Sequence, residues 1–237
     1  MRKINMKLLT TANAKTVKGE KFGWLTGILY LAPAKISGHN VCPWSDKACR
    51  TACLFTAGRG KFKSVSDART RKTKLLFDDR AGFIAQLVKD IEALVKRAKR
   101  LGLTPAVRLN GTSDLPWHTK AFGEIPQRFP NVVFYDYTKD VMKATSKDLP
   151  KNYHLTFSRS SCNDAQCMAA LKAGVNVAVV FDEVPVGGEY WGHKVVSGED
   201  SDLRFLDGKR TEPVIVGLPI KGAAAKDVTG FVVRRAA

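Results

Sequence analysis

AVRLNGTSD at 106–114, VVFYDYT at 132–138, HLTFSRS at 154–160 and VAVVFDE at 177–183 share one pattern: a short apolar run that stops abruptly in polar side chains. LTGILYL at 25–31 and VIVGL at 214–218 add two further runs of the same kind. Runs of this length, rich in Val, Ile, Leu and Phe, read as strands. Several are separated by helix-compatible stretches, notably Asp164 to Ala173 before Gly174, and that alternation is the mark of a parallel sheet. From Asp67 to Leu101 the pattern turns helical, with Leu75 and Leu76 followed by Phe83, Leu87, Ile91, Leu94 and Ala98 at spacings of three and four, and Gly102 as the stop. With no internal repeat and no linker rich in Pro, Gly and Ser, residues 1–237 are expected to form a single α/β domain. Its mostly parallel sheet would be arranged as a partial or complete (β/α) barrel.

In parallel α/β folds the carboxyl ends of the strands gather on one face, where ligands bind. The sequence therefore nominates the polar ends Asn110-Gly111-Thr112-Ser113-Asp114, Asp136-Tyr137-Thr138, Ser158-Arg159-Ser160 and Asp182-Glu183. Asn110, Ser113 and Asp114 are placed to hydrogen-bond a cofactor or substrate, Asp136 and Tyr137 to move protons, and Arg159 to hold an anionic group. Asp114, Asp136, Tyr137 and Arg159 are thus the catalytic candidates, and the bland reading of each is turn and capping chemistry. His39, His118, His154 and His193 are scattered and suggest no hydrolase arrangement.

The loop after the first long run carries Cys42-Pro-Trp-Ser-Asp-Lys-Ala-Cys49-Arg-Thr-Ala-Cys53, a C-x6-C-x3-C spacing. On a helix, Cys49 and Cys53 would share one face with β-carbons about 5–6 Å apart, and Ser45 or Asp46 would cap that helix. The cysteines number five, an odd count, and in a reducing compartment this argues for metal binding or catalysis over disulfides. Three closely spaced thiolates suit a [4Fe-4S] cluster at Cys42, Cys49 and Cys53. Zinc is the alternative, although Cys162 and Cys167, five apart, make no standard knuckle. The fourth ligand is left open among Cys162, Cys167 and neither.

Lys and Arg number 39 against 22 acids, a formal charge of +17. A field of that sign implies nucleic acid or another polyanion as partner, against the bland reading of a solvated basic surface. Arg59, Lys61, Lys63, Arg69, Arg71 and Lys72 are the nominated phosphate contacts, with Trp44, Phe55 and Phe62 interleaved for stacking, and Lys96, Arg97, Lys99 and Arg100 form a further cluster at a helix end. No helix-turn-helix, zinc-finger or RNA-recognition signature accompanies the charge. No apolar run approaches the roughly 18 to 20 residues that cross a bilayer, so no membrane partner is expected. MRKINMKLL has no apolar core and no cleavage site of a secretory leader, and a cytoplasmic location is the corresponding expectation.

LTGILYLAPAKISGHNVCPWSDKACRTACLFTAGRG, VRLNGTSDLPW, FPNVVFYDYTKD, NYHLTFSRS, GVNVAVVFD, DLRFLD and VIVGLPIKG, in that order across residues 25 to 222, resemble the bacteriophage "gene product 88" family. The resemblance implies a phage origin and assigns no activity. A weaker likeness is to radical S-adenosylmethionine enzymes, which place three clustered cysteines in a loop after the first strand of a partial barrel. It names S-adenosylmethionine as a further expected ligand, but the spacing departs from their C-x3-C-x2-C, and Gly187-Gly188-Glu189 falls too late for their glycine-rich motif and reads as a turn. Three functional classes remain in view: an iron–sulfur redox or radical enzyme acting on nucleic acid, a basic nucleic-acid-binding protein with a structural metal, and a zinc-stabilised protein that binds a host protein. The small-molecule substrate stays undefined.

Overall fold

The apolar runs become strands because they are short, β-branched and cut off by polar turns, and the computed structural model describes them within residues 6–234. Met1–Asn5, part of the stretch read for a leader, lie outside the described residues. In chain order the elements are β1 (Leu9–Thr10), α1 (Ala14–Glu20), β2 (Trp24–Leu29), α2 (Lys47–Thr51), α3 (Lys63–Asp78), α4 (Arg80–Leu101), β3 (Thr104–Arg108), α5 (Ile125–Arg128) and β4 (Val133–Thr138). There follow α6 (Val141–Thr145), β5 (Tyr153–Ser158), α7 (Asp164–Lys172), β6 (Val177–Phe181), β7 (Glu189–Tyr190), β8 (His193–Ser197), β9 (Ile215–Pro219) and β10 (Val232–Val233). The strands bond in the order β1-β2-β3-β4-β5-β6-β9-β8-β7, with β10 on β6. This is a mixed α/β fold with a mostly parallel, unclosed sheet, the partial member of the two barrel arrangements expected. Among the described residues no helix is long and apolar enough to cross a membrane.

The chain packs as two compact units. The first comprises the chain through Pro43 with Phe62–Asp136 and Leu149–His154; the second comprises Trp44–Lys61, Tyr137–Asp148 and the chain from Leu155 onward. In the first, β1 pairs antiparallel with β2, and β2, β3 and β4 run parallel, with Thr26 opposite Ala106 and Ala106 opposite Val133. Helix α4 buries Phe83, Leu87, Ile91, Leu94 and Ala98, the stripe that its 3–4 spacing demands. Gly27 on β2 lets α4 approach, since a Cβ there would meet Leu94 Cδ2 at 3.1 Å and Leu9 Cδ1 at 3.2 Å. The helical pattern expected over 67–101 is broken at Asp79 (φ −141°, ψ 73°), whose Oδ1 accepts from Gly82 N at 2.9 Å and caps a new helix. Gly102 ends α4 in the left-handed region at φ 66°.

In the second unit β5, β6, β9 and β8 run parallel, with Phe157 opposite Val177, Val179 opposite Gly217 and Ile215 opposite Val195. β6 is apolar throughout because neighbours cover it, and β10 pairs with its last residues, Val180 and Phe181. Phe157, Leu171, Val177, Val179, Phe181 and Ile215 form the core beneath α7.

Phe83 has no exposed surface. Phe83→Ala is expected to lower unfolding free energy by about 3–5 kcal/mol in urea titrations. Lys89→Ala, on the outer face of the same helix, should stay within about 0.5 kcal/mol of the parent.

Candidate metal centre

The cysteine segment is short and is shaped by its own polar side chains. Asp46 is the N-cap of α2, and its Oδ1 accepts from Cys49 N at 2.6 Å. Its Oδ2 accepts the thiol of Cys162 at 3.4 Å, from the loop that leaves β5. One carboxylate therefore binds both thiol-bearing loops of the second unit. Burial works against its charge, but the Cys49 N–H, the Cys162 thiol and the Lys139 ammonium hold the Asp46 carboxyl below its ordinary value. Past α2, Ala52 is packed with Ala224 and Val232, and the Cys53 carbonyl accepts from Thr56 Oγ1 at 2.8 Å, which in turn accepts from Ala223 N at 3.2 Å. Cys53 is thus fixed to the segment that leads into β10.

Lys139, just past β4, supplies the positive charge of this region. Its Nζ donates to Ser158 Oγ at 2.9 Å, Arg159 O at 3.1 Å and Ser158 O at 3.2 Å, and it lies 5.7 Å from the Phe231 ring centroid. Burial pushes the Cys49 thiol up, as does the neighbouring Cys53, while Lys139 draws it down. The Cys162 thiol is pushed up first by its hydrogen bond to Asp46, with Lys139 again opposing. Cys162 is exposed, and Cys49 and Cys53 are half-buried.

Cys167 lies on α7 with no exposed surface, among Phe157, Leu171 and Val177, and burial pushes its thiol up to about 12. It is a core side chain. Cys42 belongs to the first unit, where its Sγ accepts from Ala34 N at 3.3 Å and donates to Thr112 O at 3.7 Å. Among the described residues no three Cys, His, Asp or Glu side chains gather tightly enough to hold one metal ion.

The polar strand ends of the first unit close on one another. Asn110 N donates to Asp136 Oδ1 at 2.6 Å, and Asn110 Oδ1 accepts from Ser113 Oγ (2.8 Å), Leu115 N (2.9 Å) and Trp117 Nε1 (3.2 Å). Tyr153 Oη donates to Asp136 Oδ2 at 2.8 Å, and burial with that carboxylate holds the phenol well above its ordinary range. Asp114 is buried, its N–H bonded to Val41 O at 2.8 Å. Asn110, Ser113 and Asp136 are thus brought together, as the strand-end pattern suggests, and their partners are groups that hold the 110–117 loop. In the second unit Tyr137 packs beside Ala178, Val214 and Val216. Arg159 binds Asp164 at 2.9 Å, Gly230 O at 2.8 Å and Phe231 O at 3.3 Å, an anchor for the strand β10 region.

Sequence reading passed over Lys139 and Tyr153. Lys139 follows a strand end, YDYTK, by the same rule that picked out Asp136, while Tyr153 opens a strand and carries no such signal.

Against known proteins, the family model described as Gene product 88 matches residues 2–235. No curated protein and no solved structure matches the chain, and the likeness to radical S-adenosylmethionine enzymes finds no support in these comparisons.

Tyr153→Phe removes a donor from the buried Asp136 carboxylate and should cost about 1–3 kcal/mol of stability in urea unfolding. An unchanged midpoint would mean that water replaces the phenol there.

Proposed function

The chain belongs to the Gene product 88 family of phage proteins, and we propose that it is an iron–sulfur protein whose cluster is held by Cys49, Cys53 and Cys162 of the second unit. The observation that carries this reading is the Asp46 carboxylate, which accepts the backbone N–H of Cys49 with one oxygen and the thiol of Cys162 with the other, so that two cysteine-bearing loops distant in sequence are tied to one side chain. The donor set is three soft thiols, which suit an iron–sulfur cluster with one thiolate to each of three irons. Cys42, seven residues before Cys49 in the sequence, belongs to the first unit and stands apart from this donor set.

When bound, such a cluster supplies one-electron transfer or a Lewis-acidic iron. The chain's own groups would then act on it from fixed places. Asp46 orients both loops, Lys139 offsets the negative charge of the thiolates, and Thr56 keeps Cys53 in position. Asn110, Ser113 and Asp136 hold the 110–117 loop, and Arg159 holds the β10 segment.

Anaerobic purification with iron, sulfide and zinc assays tests the proposal. The expected result is about four irons and four sulfides per chain. These should be lost from Cys49→Ser, Cys53→Ser and Cys162→Ser and kept in Cys167→Ser. Stoichiometric zinc without iron, or iron indifferent to Cys162, would overturn it. Lys139→Met should keep its iron and shift the reduction potential to more negative values, because a fixed positive charge favours the reduced, more negative centre.

A further inference from the structure

Helix α4 carries two opposed faces. Phe83, Leu87, Ile91, Leu94 and Ala98 point into the first unit, and Lys89, Lys96 and Arg100 stand on the far side, all exposed. At 3.6 residues per turn these three fall within about 20° of one line, flanked by the exposed Arg97 and Lys99. Glu92 is the one exposed acid in this half of the helix, since Asp90 is turned inward, where its carboxylate accepts from Leu8 N and Leu9 N. Among the described residues no ion pair joins any of the five cations to an acid. Lys96 with Lys99 and Arg100, and Arg97 with Arg100, stand three or four residues apart and set like charges against each other, which destabilises a helix. The helix dipole favours only Lys99 and Arg100 in the last turn, and the single Glu92, three residues after Lys89 and four before Lys96, offsets one charge of that pair, so the face keeps a net positive charge.

The basic residues that the sequence nominated elsewhere are differently engaged. Lys72 Nζ donates to Leu8 O at 2.6 Å, the Arg69 guanidinium lies 4.8 Å from the Tyr30 ring centroid, and Lys63 pairs with Asp67 at 2.9 Å. Three of the six nominated phosphate contacts are therefore in use within the first unit.

We propose that the outer face of α4 docks the phosphate backbone of a nucleic-acid duplex through Lys89, Lys96, Arg97 and Arg100, without reading its sequence. From Lys89 to Arg100 the helix runs about 16 Å, the length of about five phosphate steps of one strand at roughly 3.4 Å each. The face has Ala93 and no exposed aromatic ring between its cations, so it offers neither a stacking platform for single strands nor an apolar wedge for a bilayer.

The test is fluorescence anisotropy of the full chain with a labelled mixed-sequence DNA duplex across a salt series. The parent should bind with an affinity that falls steeply with salt. The triple variant Lys89→Gln/Lys96→Gln/Arg100→Gln should lose at least tenfold, with the salt slope reduced by about one for each contact removed. Arg59→Gln/Lys61→Gln, in the second unit, should bind like the parent. An unchanged triple variant of normal circular dichroism, a parent that does not bind duplex, or a parent that binds phosphatidylserine vesicles and not duplex would each overturn the proposal. Iron content plays no part in this readout, so it stands or falls separately from the cluster.

Discussion

The second unit turns on one carboxylate. Asp46 gives one oxygen to the first turn of α2 and the other to the thiol of Cys162, and neither bond can be replaced by an apolar side chain of the same size. Without it, α2 would lose its cap, and the loop after β5 would lose its tie to the segment bearing Cys49 and Cys53. A helix of only five residues has little propensity to spend, so such a cap matters more here than at the start of a long helix. Lys139 completes the arrangement, since its three bonds to the end of β5 fix a positive charge beside the thiols.

The fold follows the rule that ligand-facing loops of parallel sheets lie beyond the carboxyl ends of the strands. In the first unit the loop after β2 meets the loop after β3 through Cys42 and Thr112, and in the second the loop after β5 meets Lys139 just past β4. This much was legible in the sequence, because runs such as VAVVF and the stripe from Phe83 to Ala98 carry their period in their composition. Four strands were not. β1, β7 and β10 have two residues each, too few to show alternation, and β8 mixes His193 and Lys194 with its valines. The break at Asp79 was hidden inside an unbroken helical period, and only the pairing of Asp79 with Gly82 betrays it.

The candidate site was legible in part, and for a physical reason. Spacing proposes that Cys49 and Cys53 share one face of a helix, but α2 ends at Thr51 and Cys53 (φ −56°, ψ 133°) lies outside it. Spacing cannot distinguish Cys162 from Cys167, five residues apart and equal in type. The two differ in packing: Cys167 turns into the core with Phe157 and Val177, while Cys162 stays exposed against Asp46. At the polar ends Asn110 bonds to Asp136, Leu115 and Trp117, and Asp136 also accepts from Tyr153.

Iron K-edge X-ray absorption on the anaerobically purified chain tests the proposed centre most directly. The account predicts a first shell dominated by sulfur with an iron–iron vector beyond it, both lost in Cys162→Ser. A shell of nitrogen or oxygen with no iron–iron vector, or one that survives Cys162→Ser, would contradict it.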